Sequence, residues 1–386
     1  MMIRTVKYEL PCDRALVDTV AMGVEVFQFW SDLAVEHEVS NKFKLHYLGY
    51  YRARELFPSF NSMLMLTVRD TVVEARKAIK TRTGKNNPVL QAHKGRGLRY
   101  NDHCFSMKED GSVSISTVDG RKKYKVIPSP KYSGWSCKSA ILKVSKGKCY
   151  LLCQCETESP PAGNWKGSDV LGVDRGVRNI IACSDNTIIN SKHLRKVKGK
   201  YQHVKSELQS KGTRSAVRRL NAISGREKRF VRDVNHCISK RLIGLDYGVF
   251  ALEELKNIRR KIVRGKVGKA TRKMIGGWSF SMLAKFLEYK AEAVGKKVVY
   301  VDPKHTSQQC SCCNHTEKGN RKGSSFCCKQ CGFSLNADLN ASRNIAHRGI
   351  SSLCRVDSQA PVCSPQGLSK PSSLDGGTFD INGILR

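Results

Sequence analysis

The amino-acid sequence predicts an α/β plus β protein in two lobes: an antiparallel β domain with a helical insertion, then an α/β domain with an inserted cysteine finger. Three observations predict it. From Arg99 onward the apolar residues form short alternating runs broken at Asp110-Gly111 and Asp119-Gly120, turn pairs in which glycine accepts positive φ. Beyond Ser159-Pro160-Pro161-Ala162-Gly163, a stretch with the composition of a linker, the runs Val170–Asp174 and Val249–Glu253 read as buried strands that each end in an acid. Third, six of the 16 cysteines fall between Cys310 and Cys331.

Taken in order, residues 3–10 read as a strand ended by Pro11, and Leu16, Val20, Val24, Phe27 and Leu33 then recur at helical spacing. A second amphipathic helix runs from Asn61 to about Lys80, with Asn61 or Ser62 as its cap. Residues 99–158 are expected to be antiparallel β. After the linker, Ile180–Cys183 and Thr187–Ile189 read as a hairpin following the first acid-ended strand, and residues 197–243 as one or two basic surface helices. Ser279 is placed to cap a helix carrying Leu283, Phe286, Leu287 and Val294, and Lys297–Val301 supplies another strand. A last helix spans about Asp338–His347, and the Ser-, Pro- and Gly-rich residues 351–386 read as a disordered tail.

At 386 residues the chain has room for two or three domains of about 150 residues each. Lysine and arginine number 68 against 33 acids, a net charge of +35, so the natural partner is a polyanion. No run of 18 apolar residues occurs and the N-terminus lacks the apolar core of a signal peptide, which argues against membrane insertion and secretion and for the cytoplasm. In that compartment the cysteines are expected to be reduced thiols, some of them metal ligands.

Two C-x-x-C pairs, Cys310/Cys313 and Cys328/Cys331, would each form one knuckle of a tetrahedral thiolate site. Their separation and the polar loop between them (Gly319, Asn320, Gly323, Ser324, Ser325) suit a zinc ribbon, and four thiolates leave no open position, so the ion would be structural. Cys312 and Cys327 adjoin the proposed ligands, so the register could slip by one. Asp174, Glu253 and Asp338 stand at strand ends or a helix start, and clustered carboxylates are what a hard divalent cation needs. In so basic a chain, acids facing a polyanion would repel it unless metal ions neutralise them. The basic run from Lys192 to Arg232 and another from Arg259 to Lys273 suit phosphate backbones, and Tyr47, Tyr50, Tyr51, Arg52 and Arg54 interleave rings with cations, as readily core as a stacking surface. His236 and His305 read as structural.

The linked motifs Gly172-Val173-Asp174-Arg175-Gly176, Leu252-Glu253-Glu254-Leu255, Thr306-Ser307-Gln308-Gln309-Cys310, Cys328-Lys329-Gln330-Cys331-Gly332 and Ala337-Asp338-Leu339-Asn340-Ala341-Ser342-Arg343-Asn344-Ile345 resemble those of the TnpB family, transposon-encoded RNA-guided nucleases related to type V CRISPR effectors. The resemblance covers about residues 168–349. It implies an N-terminal wedge domain (1–10 and 86–165) interrupted by a helical recognition domain (11–85). An RNase H-like RuvC nuclease domain (166–305 and 334–350) would follow, with a zinc ribbon at 306–333. It implies that Asp174, Glu253 and Asp338 are catalytic and hold two Mg²⁺ ions, Glu253 rather than Glu254 because the family's acid comes first. Cys310, Cys313, Cys328 and Cys331 would hold one structural Zn²⁺, although Asn314 replaces the family's glycine after the first knuckle. The partners implied are a guide RNA and target double-stranded DNA, for a protein expected to act as a monomer. Alternatives of the same architecture are a compact type V CRISPR effector with a repeat-derived guide and a guide-dependent DNA-binding repressor without cleavage.

Overall fold

The structure, a computed structural model, describes residues 1–92, 97–255, 280–356 and 378–379. The chain divides into two compact units, Met1–Glu158 and Ser159–Arg386.

In the first unit β1 (Met2–Leu10) runs antiparallel to β7 (Lys148–Thr157). The ladder stops at Pro11, which has no N–H to donate. The Asp13 carboxylate then accepts from the Ala15 amide at 2.7 Å and caps α1 (Arg14–Glu36). Asn41 and Asn61 cap α2 (Lys42–Leu56) and α3 (Ser62–Thr83) in the same way. The rest is antiparallel β. Strands β2 (Leu98–Tyr100) and β6 (Ser136–Ser145) complete a sheet of order β1-β7-β6-β2, and β3 (Phe105–Met107), β4 (Ser112–Thr117) and β5 (Gly120–Lys125) form a second. Leu16, Phe27 and Trp30 of α1, Leu64 and Val72 of α3, and Leu151 and Cys153 of β7 share one core, so the helices are packed on strand residues rather than standing apart.

One expectation fails here. Cys137 and Cys155, cross-strand partners in β6 and β7, are joined by a disulfide. Compartment reasoning made all the cysteines thiols, but facing positions on paired antiparallel strands bring two cysteines together whatever the surroundings.

The second unit is built on a six-stranded sheet of order β12-β11-β8-β9-β10-β16. Strands β8 (Val170–Asp174), β11 (Val249–Glu253) and β12 (Lys297–Val301) are parallel, while β9 (Asn179–Cys183) runs antiparallel to β8 and β10 (Ile188–Asn190) antiparallel to β9. Residues 192–243 form three helices, one more than the loose periodicity suggested: α4 (Lys192–Lys211), α5 (Arg214–Ile223) and α6 (Arg226–Ile243). The extra break is Gly212-Thr213, where a left-handed glycine ends α4 and the Thr213 hydroxyl caps α5. Helix α7 (Phe280–Glu292) follows, and its expected cap Ser279 lies outside the described residues.

Both faces of this sheet are buried, which is why its strands read as continuous apolar runs. Leu171, Val173, Phe250 and Leu252 pack with Ile238 and Leu242 of α6 and Leu287 of α7, while Val170, Val249 and Ala251 pack on the other side with Ile345 of α8 (Ala337–Val356). Helix α8 lies against the sheet at the Gly172 position, where an added Cβ would stand 2.0 Å from the Ser342 carbonyl oxygen. It runs past its expected end near His347 to Val356, because Gly349 fits against Ala251 and Val170 and Ile350 continues the apolar face. The supposed tail accordingly begins as helix, and Thr378–Phe379 form β16 alongside β10; residues 357–377 and 380–386 lie outside the described residues. Between β12 and α8 sits a three-stranded finger of β13 (Arg321–Lys322), β14 (Ser325–Cys327) and β15 (Ser334–Asn336).

Among the described residues no helix is long and apolar enough to cross a membrane.

Candidate active site and cysteine centre

Parallel pairing in register, Leu252 against Val173, puts the ends of β8 and β11 side by side and so brings Asp174 next to Glu253. Asp338 arrives from the first turn of α8, whose start is fixed by the Asn336 side chain accepting from the Asp338 amide at 2.9 Å. All three carboxylates line one cleft of about 450 Å³. The position after Glu253 is different: Glu254 is exposed and does not line the cleft, as strand alternation requires.

The acids are held by neighbours that the motifs did not single out as site residues. The Thr306 hydroxyl donates to Glu253 Oε1 at 2.5 Å, and the Asn179 amide donates to Asp338 Oδ2 at 2.9 Å. Arg321, from the finger, pairs with Asp338 Oδ1 at 2.9 Å, and Arg175, buried beside the acids, donates to the Glu253 backbone carbonyl. Arg175 and Thr306 stood inside quoted motifs without a role, whereas nothing in the sequence marks Arg321 among 68 basic residues.

Electrostatics set the state of the site. Burial, then the Glu253 and Asp338 charges, push the Asp174 carboxyl up to about 8, against a softer pull from Arg321 and Arg175. Burial also raises Glu253, with the Thr306 hydroxyl and Arg175 opposing it. Asp174 is therefore protonated in the folded chain at neutral pH when no cation is bound. From its ordinary 3.8 up to about 8 the folded state holds a proton that the unfolded state has released, so stability falls as pH rises through that window and levels off above it. Asp174→Asn is thus expected to melt higher than the parent in chelator, by a margin that grows from pH 5 to pH 8. At pH 8 the margin corresponds to a few kcal/mol, because each tenfold difference in proton affinity between the folded and unfolded chain is worth about 1.4 kcal/mol. Thermal melts at the two pH values check it; a margin that stays constant would contradict the raised Asp174 carboxyl.

His236 and His305 do not line the cleft. The His236 ring stacks on Phe286 at 3.9 Å, a packing role.

The finger gathers Cys310, Cys313, Cys328 and Cys331, whose sulfurs all lie within 4.8 Å of one another, and this set could hold a metal ion. Cys310 and Cys331 sulfurs are 3.7 Å apart and those of Cys313 and Cys328 3.6 Å, close to the ~3.8 Å edge of a tetrahedron with Zn–S bonds of about 2.3 Å. Cys312 and Cys327 are exposed and outside the cluster, so the geometry favours the register of the C-x-x-C pairs. The two knuckles repeat one design. The Asn314 and Gly332 amides bond back to the Cys310 and Cys328 carbonyls, each at 3.0 Å, and the Cys310 and Cys328 amides bond forward to His315 and Phe333, at 2.8 and 2.9 Å. Each turn needs a left-handed residue: Gly332 has φ +68° and Asn314 φ +63°, so asparagine does here what glycine does elsewhere. Amides of Cys331 and Gln330 aimed at the Cys328 sulfur lower its thiol to about 6, which prepares a thiolate ligand.

Finger and cleft are tied through α8. Asn340 and Asn344, one turn apart, donate to the Gln309 carbonyl at 2.7 Å each; Asn344 also reaches the Thr306 carbonyl at 2.9 Å, and Asn340 accepts from the Ser311 amide at 3.0 Å. The motif around Asp338 thus clamps the segment that delivers Thr306 to Glu253 and Cys310 to the finger.

Of the basic run, Arg195, Lys196, Lys200, Arg218, Arg219, Arg226, Lys228, Arg229 and Arg232 are exposed along α4–α6, and Lys205 pairs with Glu227 at 2.6 Å. Arg259–Lys273 lies outside the described residues. Tyr47 and Tyr51 are 85% and 79% exposed, so α2 does not bury them, whereas Tyr50 tilts onto His46.

Residues 153–257 match the OrfB_IS605 family model, described as "Probable transposase", and residues 280–345 match the model for the Cas12f1-like TNB domain. The chain is 38% identical over 117 residues to CRISPR-associated endodeoxyribonuclease Cas12f1 of Sulfoacidibacillus thermotolerans, covering 29% of this chain and 26% of that one. It is 38% identical over 129 residues to TnpB-like protein MJ0751 of Methanocaldococcus jannaschii, 33% of this chain and 45% of that one. The matched stretches therefore span less than half the length of these relatives. In fold it resembles the Cas12f1 of a cryo-EM structure of a Cas12f1–sgRNA–target DNA complex, with a TM-score of 0.60 at 15% identity over 86% of this chain and 81% of that one. The two matched ranges contain the cleft and finger residues themselves, Asp174 and Glu253 in the first and Asp338 with the four cysteines in the second.

Proposed function

We propose that this TnpB-family chain is an RNA-guided DNA endonuclease in which the second unit is an RNase H-like RuvC nuclease domain with an inserted zinc ribbon and the first a wedge with a helical recognition insertion. One observation carries the reading: three acids from two parallel strand ends and a helix start converge on one cleft in a chain of net charge +35. So costly an acidic cluster beside a surface suited to polyanions is accounted for by hard divalent cations.

The donor set fits them. Three carboxylates supply the oxygen ligands, and the raised Asp174 carboxyl reflects its burial and the charges of Glu253 and Asp338, which Arg321 and Arg175 offset only in part. Asp174, Glu253 and Asp338 would hold two Mg²⁺ ions, which when bound supply Lewis-acid activation of water and neutralise charge at a scissile phosphate. The chain's own residues do the rest. Thr306 fixes the Glu253 carboxylate, Asn179 and Arg321 orient Asp338, and Arg175 ties the end of β8 to the end of β11. Cys310, Cys313, Cys328 and Cys331 would hold Zn²⁺ and so set the finger that delivers Arg321.

The exposed cations of α4–α6 suit the phosphates of a guide RNA and of its duplex with DNA, and exposed Tyr47 and Tyr51 suit stacking. Base pairing would then choose the target while the protein reads duplex shape and a short neighbouring motif. The test is to express the gene with its flanking DNA, sequence the co-purifying RNA, and offer the complex plasmids matching that RNA in Mg²⁺. One discrete RNA and cutting at the matching site are expected. Heterogeneous cellular RNA, or no cutting of a matched target, would overturn the reading.

A further inference from the structure

We propose that Cys12 and Cys149 form a dithiol–disulfide pair, a redox modification site at which an oxidised low-molecular-weight disulfide of the glutathione type links the start of α1 to β7. The backbone creates the pair. Leu10 is the cross-strand partner of Cys149, and the ladder ends there because Pro11 has no N–H. The Asp13 amide bonds back to the Pro11 carbonyl at 2.9 Å, and the Asp13 carboxylate is held by the Ala15 amide at 2.7 Å and the Tyr124 hydroxyl at 2.9 Å. Cys12, caught between these anchors, sits with its sulfur 3.2 Å from that of Cys149. A disulfide needs about 2.05 Å, so about 1 Å of side-chain movement closes it.

Burial assigns the two roles. Cys12 is exposed, unlike a cysteine used as a small core hydrophobe, whereas Cys149 is fully buried and meets no reagent from solvent. The Cys12 thiolate attacks one sulfur of the reagent, forming a mixed disulfide and expelling the first small thiol. Cys149, giving up its proton, attacks the Cys12 sulfur, forms the protein disulfide and expels the second. Two protein thiols are oxidised by two electrons, one small disulfide is reduced to two thiols, and the two protons end on those products. The bond would span 137 positions of sequence and fasten the first turn of α1 to the sheet.

The experiment treats the full-length, guide-loaded protein with millimolar oxidised glutathione, alkylates remaining thiols, and maps peptides without reduction. A Cys12–Cys149 linked peptide lighter by two hydrogens is expected, reversed by dithiothreitol, with a thermal midpoint raised by about 5 °C. Cys12→Ser, a change at an exposed position, should abolish the linked peptide and the midpoint shift while leaving Cys149 without an adduct. Cys149→Ser should trap glutathione on Cys12. Alkylation of both residues after treatment, a stable glutathione adduct on Cys12 in the parent chain, or a link from Cys149 to Cys153 would each overturn the proposal.

Discussion

Asp174→Ala is expected to lower guided DNA cleavage by on the order of 10³-fold or more while leaving guide-RNA and target-DNA affinity within about twofold. The asymmetry follows from where the residue sits. Asp174 ends the central strand of the sheet and faces Glu253 and Asp338, so its loss removes one of three oxygen donors from the cleft. In the proposed function the affinity for a polyanion would rest instead on the exposed cations of α4–α6, none of which lines that cleft. Removing a carboxylate that the fold raises to about 8 also removes repulsion, so the variant should fold at least as well as the parent without metal. A loss of activity would then belong to chemistry rather than to unfolding. Mg²⁺-dependent cleavage by the variant near the parent rate, measured beside filter binding of the same complex, would show that Asp174 is not a catalytic ligand.

Which parts of this arrangement were legible in the sequence depended on whether their signal was local. Val170–Asp174 and Val249–Glu253 were readable because a sheet covered on both faces demands unbroken apolar runs, and the acid at each end marks where the chain leaves the core. Two C-x-x-C pairs were readable because a thiolate centre imposes spacing on its ligands. Their register was not, since Cys312 and Cys327 are chemically equal candidates, and only the folded knuckles, turning at Asn314 and Gly332, gather the other four sulfurs and leave these two exposed. Arg321 was invisible for the opposite reason, being one cation among many whose significance arises when β13 carries it to Asp338. The Cys137–Cys155 bridge and the extension of α8 likewise depend on which strands pair and on what packs beneath Gly349, facts of tertiary structure that local pattern does not carry. Thr306, Asn340 and Asn344 form an intermediate case. Their motifs drew notice, but their purpose, a buried hydrogen-bonded clamp joining finger to cleft, appears only when α8 is docked.

That clamp gives the second large effect its reach. Replacing Cys328 and Cys331 together by serine is expected to take bound zinc from one ion per chain to none, because two ligands remain and a serine hydroxyl is a poor substitute for a thiolate. The finger has little else to hold it: its core is Cys310, Phe326, Cys328 and Ala337, with Cys313 and Phe333 packed against them, so two ligand sulfurs are themselves core atoms. Without the ion the knuckles should open, and the consequences run in two directions. Arg321 loses the strand that presents it to Asp338, and the 306–311 segment loses its far anchor, which loosens Thr306 on Glu253. Cleavage should therefore fall by about 10²-fold or more, the scale on which losing the support of catalytic groups acts. The six-stranded sheet, with its own two-sided core, should melt cooperatively as before. Cys312→Ser with Cys327→Ser is the matched control and should keep one zinc and near-parent cleavage, since neither sulfur belongs to the cluster. Metal analysis of the two double variants separates the outcomes: zinc retained after loss of Cys328 and Cys331, or lost with Cys312 and Cys327, would reassign the ligands and with them the route by which the finger supports the acids.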